Sequence, residues 1–163
     1  MSKIDNILKP LSSEYIGAYL DNGVQLYDII EWILKYSGPA DIVVLTFSLS
    51  EEFIRKVHYL KQSGQIKDIT VILDFKAIQK TEKLIRLAGN VFNRLIYAKT
   101  HAKIVLIDGD PIRVCVSGSQ NATRGNREES GIITTDLITY EKFKTEIERI
   151  QRNGIQRGTV TQN

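Results

Sequence analysis

Three short groups of polar residues in the second half of the chain have residue types suited to nucleophilic and acid–base chemistry. The first group pairs His101 with Lys103. Residues two apart in an extended strand point to the same face, so this spacing places an imidazole beside a cation. Asp108 follows Lys103 by five positions and would point to the opposite face of an unbroken strand. We therefore expect Asp108 to be structural.

The second and third groups add neutral donors and a carboxylate. Gly118, Ser119 and Asn121 follow the next run of strand-forming residues. Glycine lets the backbone approach a ligand closely, while the hydroxyl and amide groups can donate to phosphate oxygens. The third group supplies Glu128 or Glu129, either of which can orient and stabilise an imidazolium. We prefer Glu128 and keep Glu129 as the alternative, because the loop before them has no fixed register.

The first half of the chain must position these groups, and it alternates predicted strands and helices. Strands are predicted over residues 14–20, 41–47 and 69–73, and helices over 24–36, from Ser50 to about 63, and over roughly 77–88. Residues 21–23 (Asp-Asn-Gly) form a turn and offer a cap for the first helix. The almost continuous apolar runs in the second and third strands are typical of strands covered on both faces. This alternation predicts parallel strand pairs in an α/β sandwich.

The second half of the chain has a different pattern. Four short strands, over residues 95–98, 102–107, 112–117 and 131–134, are separated only by turns or loops, so part of the sheet should be antiparallel. A helix over 137–152 has one apolar stripe. We predict an α/β fold in which a mixed β-sheet is flanked by helices. Residues 1–152 form a single domain in this interpretation, and residues 153–163 a flexible C-terminal tail.

The composition limits the class of protein. The chain has 163 residues, enough for one domain, and its 42% hydrophobic and 25% charged residues are typical of a globular protein. Its single cysteine, Cys115, excludes an intramolecular disulfide and a multi-cysteine metal site, and we expect it to be a small buried residue. The first fifteen residues lack the apolar stretch of a secretory signal. We therefore expect a reducing, cytoplasmic setting.

Taken together, the three groups resemble the HxKxxxxD signature of the phospholipase D superfamily and its downstream partners. The matching stretches are His101-x-Lys103-x4-Asp108, Gly118-Ser119-x-Asn121 and Asn126-x-Glu128. The order of predicted elements over residues 14–152 is similar to that family's domain. One departure is the nine-residue stretch between Asp108 and Gly118, where many members of the family have about six residues.

The resemblance implies a phosphodiesterase that needs neither a metal nor another cofactor. His101 would be the nucleophile and acid–base group, forming a phosphohistidine. Lys103 and Asn121 would bind the non-bridging oxygens, with Ser119 assisting them. Glu128 would hold the histidine through its second ring nitrogen.

The family's chemistry needs two histidines at one phosphorus, and this chain has only one other. His58 lies on a predicted helix without a neighbouring lysine motif, so we interpret it as a packing or surface residue. The short, single-motif members of the family are understood to complete the site with a second subunit. We therefore predict a homodimer in which both copies of His101 meet on the two-fold axis.

The net charge of +3 allows a polyanionic partner without requiring one. Five basic residues bracket the motifs, namely Arg94, Lys99, Arg113, Arg124 and Arg127. Either these residues are scattered charges that keep the protein in solution, or they line the entrance of a nucleic-acid-binding site. In the second case Arg124 and Arg127 would join Gly118 and Ser119 in binding substrate.

Nucleic acid, either DNA or RNA, is our preferred substrate, and the activity we expect is that of an endonuclease with low sequence specificity. The small size, the basic charge balance and the absence of an apolar membrane segment favour this interpretation over a lipid substrate. Two alternatives stay open. One is a phospholipid-hydrolysing member of the same family, and the other is a catalytically silent DNA-binding or assembly module with the same fold.

Overall fold

The computed structural model describes residues 3–79 and 82–157, with only the backbone described at positions 78 and 79. The helices are α1 (Leu26–Ser37), α2 (Glu51–Gln62), α3 (Glu82–Val91) and α4 (Leu137–Asn153). The strands are β1 (Ile16–Asp21), β2 (Ala40–Thr46), β3 (Ile66–Asp74), β4 (Arg94–Ala98), β5 (Ile104–Asp108), β6 (Arg113–Gly118), β7 (Glu129–Thr134) and β8 (Ile155–Gln156). Two 3-10 turns cover Lys3–Asn6 and Phe75–Gln79.

The eight strands form one mixed sheet in the order β1-β7-β6-β5-β2-β3-β4-β8. The strands β2, β3 and β4 are parallel, and helices α2 and α3 make the connections between them. The remaining pairs are antiparallel, as expected for strands joined only by turns and loops. The predicted fold class, a mixed sheet flanked by helices, is confirmed.

Helices cover the two faces of the sheet unequally. Helices α1, α2 and α3 pack on one face, and α4 alone packs on the other. Alternation along β5 illustrates the division, because Val105 and Ile107 point to the three-helix face and Ile104 and Leu106 to the α4 face. Cys115 is buried on the α4 face, as predicted, and burial raises the pKa of its thiol to about 12. Within the described ranges, no helix is sufficiently long and apolar to cross a bilayer.

The strand pair β1–β7 at one end of the sheet is partly uncovered on the α4 face. Ile16 and Leu20 of β1 are 79% and 71% exposed, and Ile132 of β7 is 52% exposed. The register pairs Ala18 with Ile132, so these side chains share one face of the two strands. We call Ile16, Ala18, Leu20 and Ile132 the open β1–β7 face.

Local structure differs from the sequence prediction at two helix starts. The helix predicted over 77–88 is a 3-10 turn followed by α3, which begins at Glu82. Asp21 does not cap α1, because its carboxylate accepts the N–H groups of Gly23 at 2.6 Å and Val24 at 3.1 Å and closes the turn instead. The residue before α1 is Gln25, whose N–H donates to Asp28 at 3.1 Å.

The segment predicted as the C-terminal tail begins in the sheet. Helix α4 extends to Asn153, and β8 pairs antiparallel with Ile96 and Tyr97 of β4. The N–H of Arg157 donates to the carbonyl oxygen of Leu95 at 3.0 Å. Residues 155–157 are therefore held by edge-strand hydrogen bonds, which their polar composition does not reveal. Residues 158–163 of the predicted tail lie outside the described part of the chain.

Candidate active site at the carboxyl edge of the sheet

The parallel strands β2, β3 and β4 end at one edge of the sheet, where ligands of open α/β sheets commonly bind. The segment 99–103 runs along this carboxyl edge from the end of β4 to the start of β5. The buried Asp74 fixes its path, because one carboxylate oxygen accepts the N–H of Thr100 at 3.0 Å. The other oxygen accepts the N–H of Lys76 at 2.8 Å. The segment that carries His101 is thereby tied to the end of β3.

His101 lies just before β5 with an exposed side chain. Its ring packs edge-on against Phe47 at the end of β2, with 4.9 Å between the ring centroids and 65° between the planes. None of the residues that the structure describes forms a hydrogen bond with the imidazole. Both ring nitrogens are therefore available to a ligand or to a second chain.

Lys103 brings the predicted cation next to His101. Its ammonium group donates to the backbone carbonyl oxygen of His101 at 2.9 Å. An ammonium group has three protons, so two remain for a ligand after this bond. The sequence prediction that places these residues together is consistent with this contact, although both precede β5.

Asn121 reaches the same edge from the segment after β6. Its side-chain oxygen accepts the N–H of Phe47 at 3.1 Å, and because a backbone N–H can only donate, this bond fixes the orientation of the amide. The amide NH2 group is left to donate elsewhere. The N–H of Ala122 donates to the Thr46 hydroxyl at 2.9 Å, which holds the segment against the end of β2. His101 and Asn121 are thus both positioned by Phe47.

The structure brings Glu129, and not Glu128, into this polar group. The hydroxyl of Ser119 donates to the Glu129 carboxylate and accepts the N–H of Ser130 at 3.0 Å. The single proton of Ser119 is therefore already used, and this residue positions a carboxylate. Glu128 is exposed and forms no hydrogen bond or ion pair with the described residues. Neither glutamate hydrogen-bonds His101 within one chain.

A buried pair of polar residues supports this end of β6. The Tyr19 hydroxyl donates to the side-chain oxygen of Gln120, whose amide nitrogen donates to the carbonyl oxygen of Val24. Burial raises the pKa of Tyr19, and the negative charge of Glu129 raises it further. Sequence reasoning missed this pair, although Gln120 stands between Ser119 and Asn121 in the motif.

Gly118 is required by a contact with β7. A Cβ atom at Gly118 would lie 2.4 Å from the carbonyl oxygen of Ser130 and 2.9 Å from the Cα of Gly131. The close backbone approach expected at this glycine is therefore an approach between strands. The structure gives Gly118 a packing role between β6 and β7, and its predicted contact with substrate stays a prediction.

The five basic residues that bracket the motifs do not share one surface. Lys99 and Arg127 are exposed, on the chain segments that flank His101 and Glu128 respectively. Arg124 pairs with Glu52 at 3.4 Å. Two others lie at the opposite edge of the sheet, where Arg94 hydrogen-bonds Thr70 and Arg113 pairs with Asp108 at 2.8 Å.

The Arg113 ion pair also accounts for Asp108. This carboxylate ends β5 at the edge remote from His101, next to the hairpin that leads to β6. This placement is consistent with the structural role that the strand alternation predicts for Asp108. Within residues 3–79 and 82–157, no three histidine, cysteine, aspartate or glutamate side chains are grouped as a metal ion's ligands would be.

No family model matches the sequence, and no curated protein does. Solved structures do match. The phospholipase D family member Nuc from Salmonella typhimurium superposes with a TM-score of 0.66 at 14% identity, over 88% of this chain and 99% of Nuc. NucT from Helicobacter pylori gives 0.65 at 15% identity, over 86% and 98% of the two chains. Phosphatidylserine synthase from Haemophilus influenzae gives 0.65 at 14% identity, over 90% of this chain and 40% of the synthase.

The protein has the phospholipase D fold. The fold that the resemblance of the three motif groups implies is thereby confirmed. Within the phospholipase D fold, the three groups come from separate stretches of chain and converge on one sheet edge. His101 and Lys103 come from the segment before β5, Asn121 from the segment after β6, and Glu129 from the start of β7. This arrangement brings an imidazole, an ammonium group and an amide NH2 group to one edge of the sheet, which is a combination suited to binding an oxyanion.

Proposed function

We propose that the protein is a metal-independent phosphodiesterase that cleaves nucleic acid, with a homodimer-interface site and a phosphohistidine intermediate. The observation that carries the proposal is that His101, whose imidazole forms no hydrogen bond with the described residues, shares the carboxyl edge with Lys103 and Asn121. The fold is shared with Nuc, a phospholipase D family member, and with NucT, and this supports a phosphodiesterase reaction. We infer nucleic acid as substrate from these neighbours and from the basic charge balance.

The first chemical step transfers the phosphoryl group to the protein. One ring nitrogen of His101 attacks phosphorus, so that a P–N bond forms and the P–O bond to the leaving group breaks. The protonated His101 of the second protomer gives its proton to the leaving oxygen. Lys103 and Asn121 donate to the non-bridging oxygens, where negative charge increases in the transition state.

The second step returns the protein to its starting state. The imidazole that lost its proton now takes one from a water molecule, and the water oxygen attacks phosphorus. The P–N bond breaks and His101 leaves as a neutral imidazole. We propose Glu129, positioned by Ser119, as the carboxylate that stabilises the imidazolium, because Glu128 is exposed and makes no contact that would hold it.

Two observations support a second copy of the chain as the source of the second imidazole. The chain has two histidines, and His58 is exposed on α2, outside the polar group at the carboxyl edge. The open β1–β7 face also leaves a group of aliphatic side chains in solvent, and Ile138 near the start of α4 is 82% exposed. Exposed apolar surface of this kind is typical of subunit interfaces. We propose that this face packs against the partner.

The proposal is tested by cleavage in the presence of EDTA. Wild type should cleave DNA, RNA or a chromogenic phosphodiester, and His101→Asn should reduce the rate at least about 10³-fold, since it removes both the nucleophile and the acid–base group. His58→Asn is the matched control and should keep the wild-type rate. Phosphatidylcholine vesicles in the same panel test the lipid alternative. Equal rates for His101→Asn and wild type would overturn the proposal, as would DNA binding without any cleavage.

A further inference from the structure

An aromatic ring lies exposed at the end of β3, beside the proposed active site. Phe75 follows Asp74 directly and is 39% exposed, although it is a large apolar side chain. Its ring stacks on the buried Tyr97 of β4, with 6.5 Å between the ring centroids and 25° between the planes. The ring is therefore supported from the protein side while part of its surface faces solvent.

Two lysines occupy chain positions next to Phe75, because the register pairs Asp74 with Ala98. Lys76 is the next residue, and Lys99 follows the end of β4. Both are exposed, and within the described residues neither ammonium group forms a hydrogen bond or ion pair. The nearest carboxylate in sequence, Asp74, is buried and accepts backbone N–H groups with both oxygens. The two lysine charges therefore remain available to a ligand.

Asp74 also fixes this group relative to His101. Its two oxygens bind the N–H groups of Lys76 and Thr100, so the chain segments that carry Phe75 and His101 lie side by side. His101 packs on Phe47 at the end of β2, and β3 and β4 are the next two strands. Strand spacing is about 4.8 Å, so the edge from β2 to β4 extends about 10 Å from His101. This distance is within the reach of a short oligonucleotide.

We propose that Phe75, Lys76 and Lys99 form a subsite for an unpaired nucleic-acid strand. A base stacks on the Phe75 ring, and the flanking phosphates bind the two lysines. The faces of bases in a duplex are occupied by their neighbours, so an aromatic side chain can stack only on a base that is outside a duplex. The inference rests on the proposed function and defines its substrate class as single-stranded nucleic acid.

Binding to the full-length His101→Asn variant tests the subsite without turnover. Fluorescence anisotropy compares labelled oligo(dT) with a duplex of equal length at several salt concentrations. We expect the single strand to bind more tightly. Phe75→Leu keeps apolar packing on Tyr97 but removes the ring, and should raise the Kd for oligo(dT) about 5- to 150-fold. Lys76→Gln and Lys99→Gln should each reduce the salt dependence by about 0.7 in log–log slope.

Two exposed residues serve as controls outside the subsite. Tyr59 is a 59% exposed aromatic residue of α2, and Lys67 is an exposed lysine near the start of β3, at the opposite edge. Tyr59→Leu and Lys67→Gln should leave oligo(dT) binding unchanged. Thermal unfolding of every variant checks that the fold is retained.

The outcomes separate the subsite from the proposed activity. Equal affinity for single strand and duplex, or a Phe75→Leu variant that binds like the controls, would overturn the subsite even if wild type cleaves DNA. Phe75-dependent binding of oligo(dT) by a wild type that cleaves nothing would support the subsite and overturn the proposed function. Binding to phosphatidylglycerol vesicles but not to oligo(dT) would also overturn the subsite.

Discussion

Phe47 stands between the two side chains on which the proposed chemistry depends. Its ring contacts His101, and its backbone N–H fixes the amide of Asn121. Phe47 therefore acts as a positioning residue, since it orients two groups that would touch phosphate. No sequence motif identifies it, because an aromatic residue after a strand is usually part of the core.

Replacing Phe47 by leucine should separate orientation from binding. The backbone hydrogen bond to Asn121 is retained, while His101 loses its edge-on ring contact. We expect kcat to fall about 10- to 100-fold with little change in KM, because a small displacement of a reacting group is costly in rate. The chain's two histidines also make the His101 ring signals easy to assign by NMR, with His58→Asn as reference. Unchanged His101 ring shifts in Phe47→Leu would contradict this role.

Asn121→Asp tests the second donor with almost no change in shape. The aspartate still accepts the N–H of Phe47, but an anionic oxygen replaces the amide NH2 group that donates to phosphate in the proposed mechanism. Removing one donor to a developing oxyanion costs about 10²–10³-fold in rate, so kcat/KM should fall at least this much. The exposed Asn126, five positions further along, provides the control Asn126→Asp. Wild-type kcat/KM in Asn121→Asp would show that this amide does not contact the phosphate.

Sequence reasoning could place His101 next to Lys103, but it could not show which of Glu128 and Glu129 contacts the motif residue Ser119. The first pair is two positions apart in the sequence, and the Lys103 ammonium group contacts the backbone of His101 although both residues precede β5. The choice between Glu128 and Glu129 depends on where β7 begins, and that is set by distant contacts. The side chain of Gln25 bonds both the N–H and the carbonyl oxygen of Gly125, at 3.0 and 2.9 Å. A contact across a hundred positions of sequence leaves no local signal.

At the scale of elements, the approach of β6 to β7 holds the motif segments together. Gly118→Ala places a Cβ atom against the Ser130 carbonyl oxygen, so the strands must separate. We expect the free energy of unfolding to fall by about 1–3 kcal/mol, the usual cost of overpacking. Gly125→Ala is the matched control, because no atom lies within 4 Å of the added Cβ. Urea denaturation measures the free energy of unfolding of both variants. Equal stability of Gly118→Ala and Gly125→Ala would contradict the claim that Gly118 allows β6 to approach β7 closely.

The start of α4 provides a pH-dependent contribution to stability. Asp136 caps this helix, and hydrogen bonds from the Thr139 side chain and N–H lower the pKa of its carboxyl group. Because the Asp136 pKa is lower in the folded than in the unfolded protein, the ionised carboxylate stabilises the fold. This stabilisation is complete above the pKa of an aspartate in the unfolded chain, about 3.9, and is lost as the pH falls through the lower pKa of the folded protein. The Tm difference between wild type and Asp136→Asn should therefore be constant above about pH 5 and decrease below pH 4. The control Glu148→Gln also removes one negative charge from α4. If the Tm difference between wild type and Asp136→Asn did not change with pH, the ionised Asp136 cap would not contribute to stability.

At the scale of the whole molecule, the two proposed surfaces lie on opposite sides of His101. The open β1–β7 face is at one end of the sheet order, and the Phe75 subsite is at β3 and β4 towards the other end. Strand β5, which begins just after His101, is between them. A partner can therefore cover the aliphatic face while a nucleic-acid strand leaves the site along the opposite flank. The architecture itself was predictable from hydrophobic periodicity, but the uncovered half of one face was not, because it depends on where α4 packs.

A site shared by two protomers predicts how activity responds to mixed dimers. When wild type and His101→Asn are coexpressed in equal amounts, random pairing gives about a quarter wild-type pairs. Because each phosphate needs one imidazole from each protomer, about a quarter of the activity should remain. Independent sites in each protomer would leave about half. Coexpression with His58→Asn should leave the activity intact. Isolation of the mixed dimer through two different affinity tags makes the test direct, since a mixed dimer that retains half of the wild-type rate contradicts a shared site.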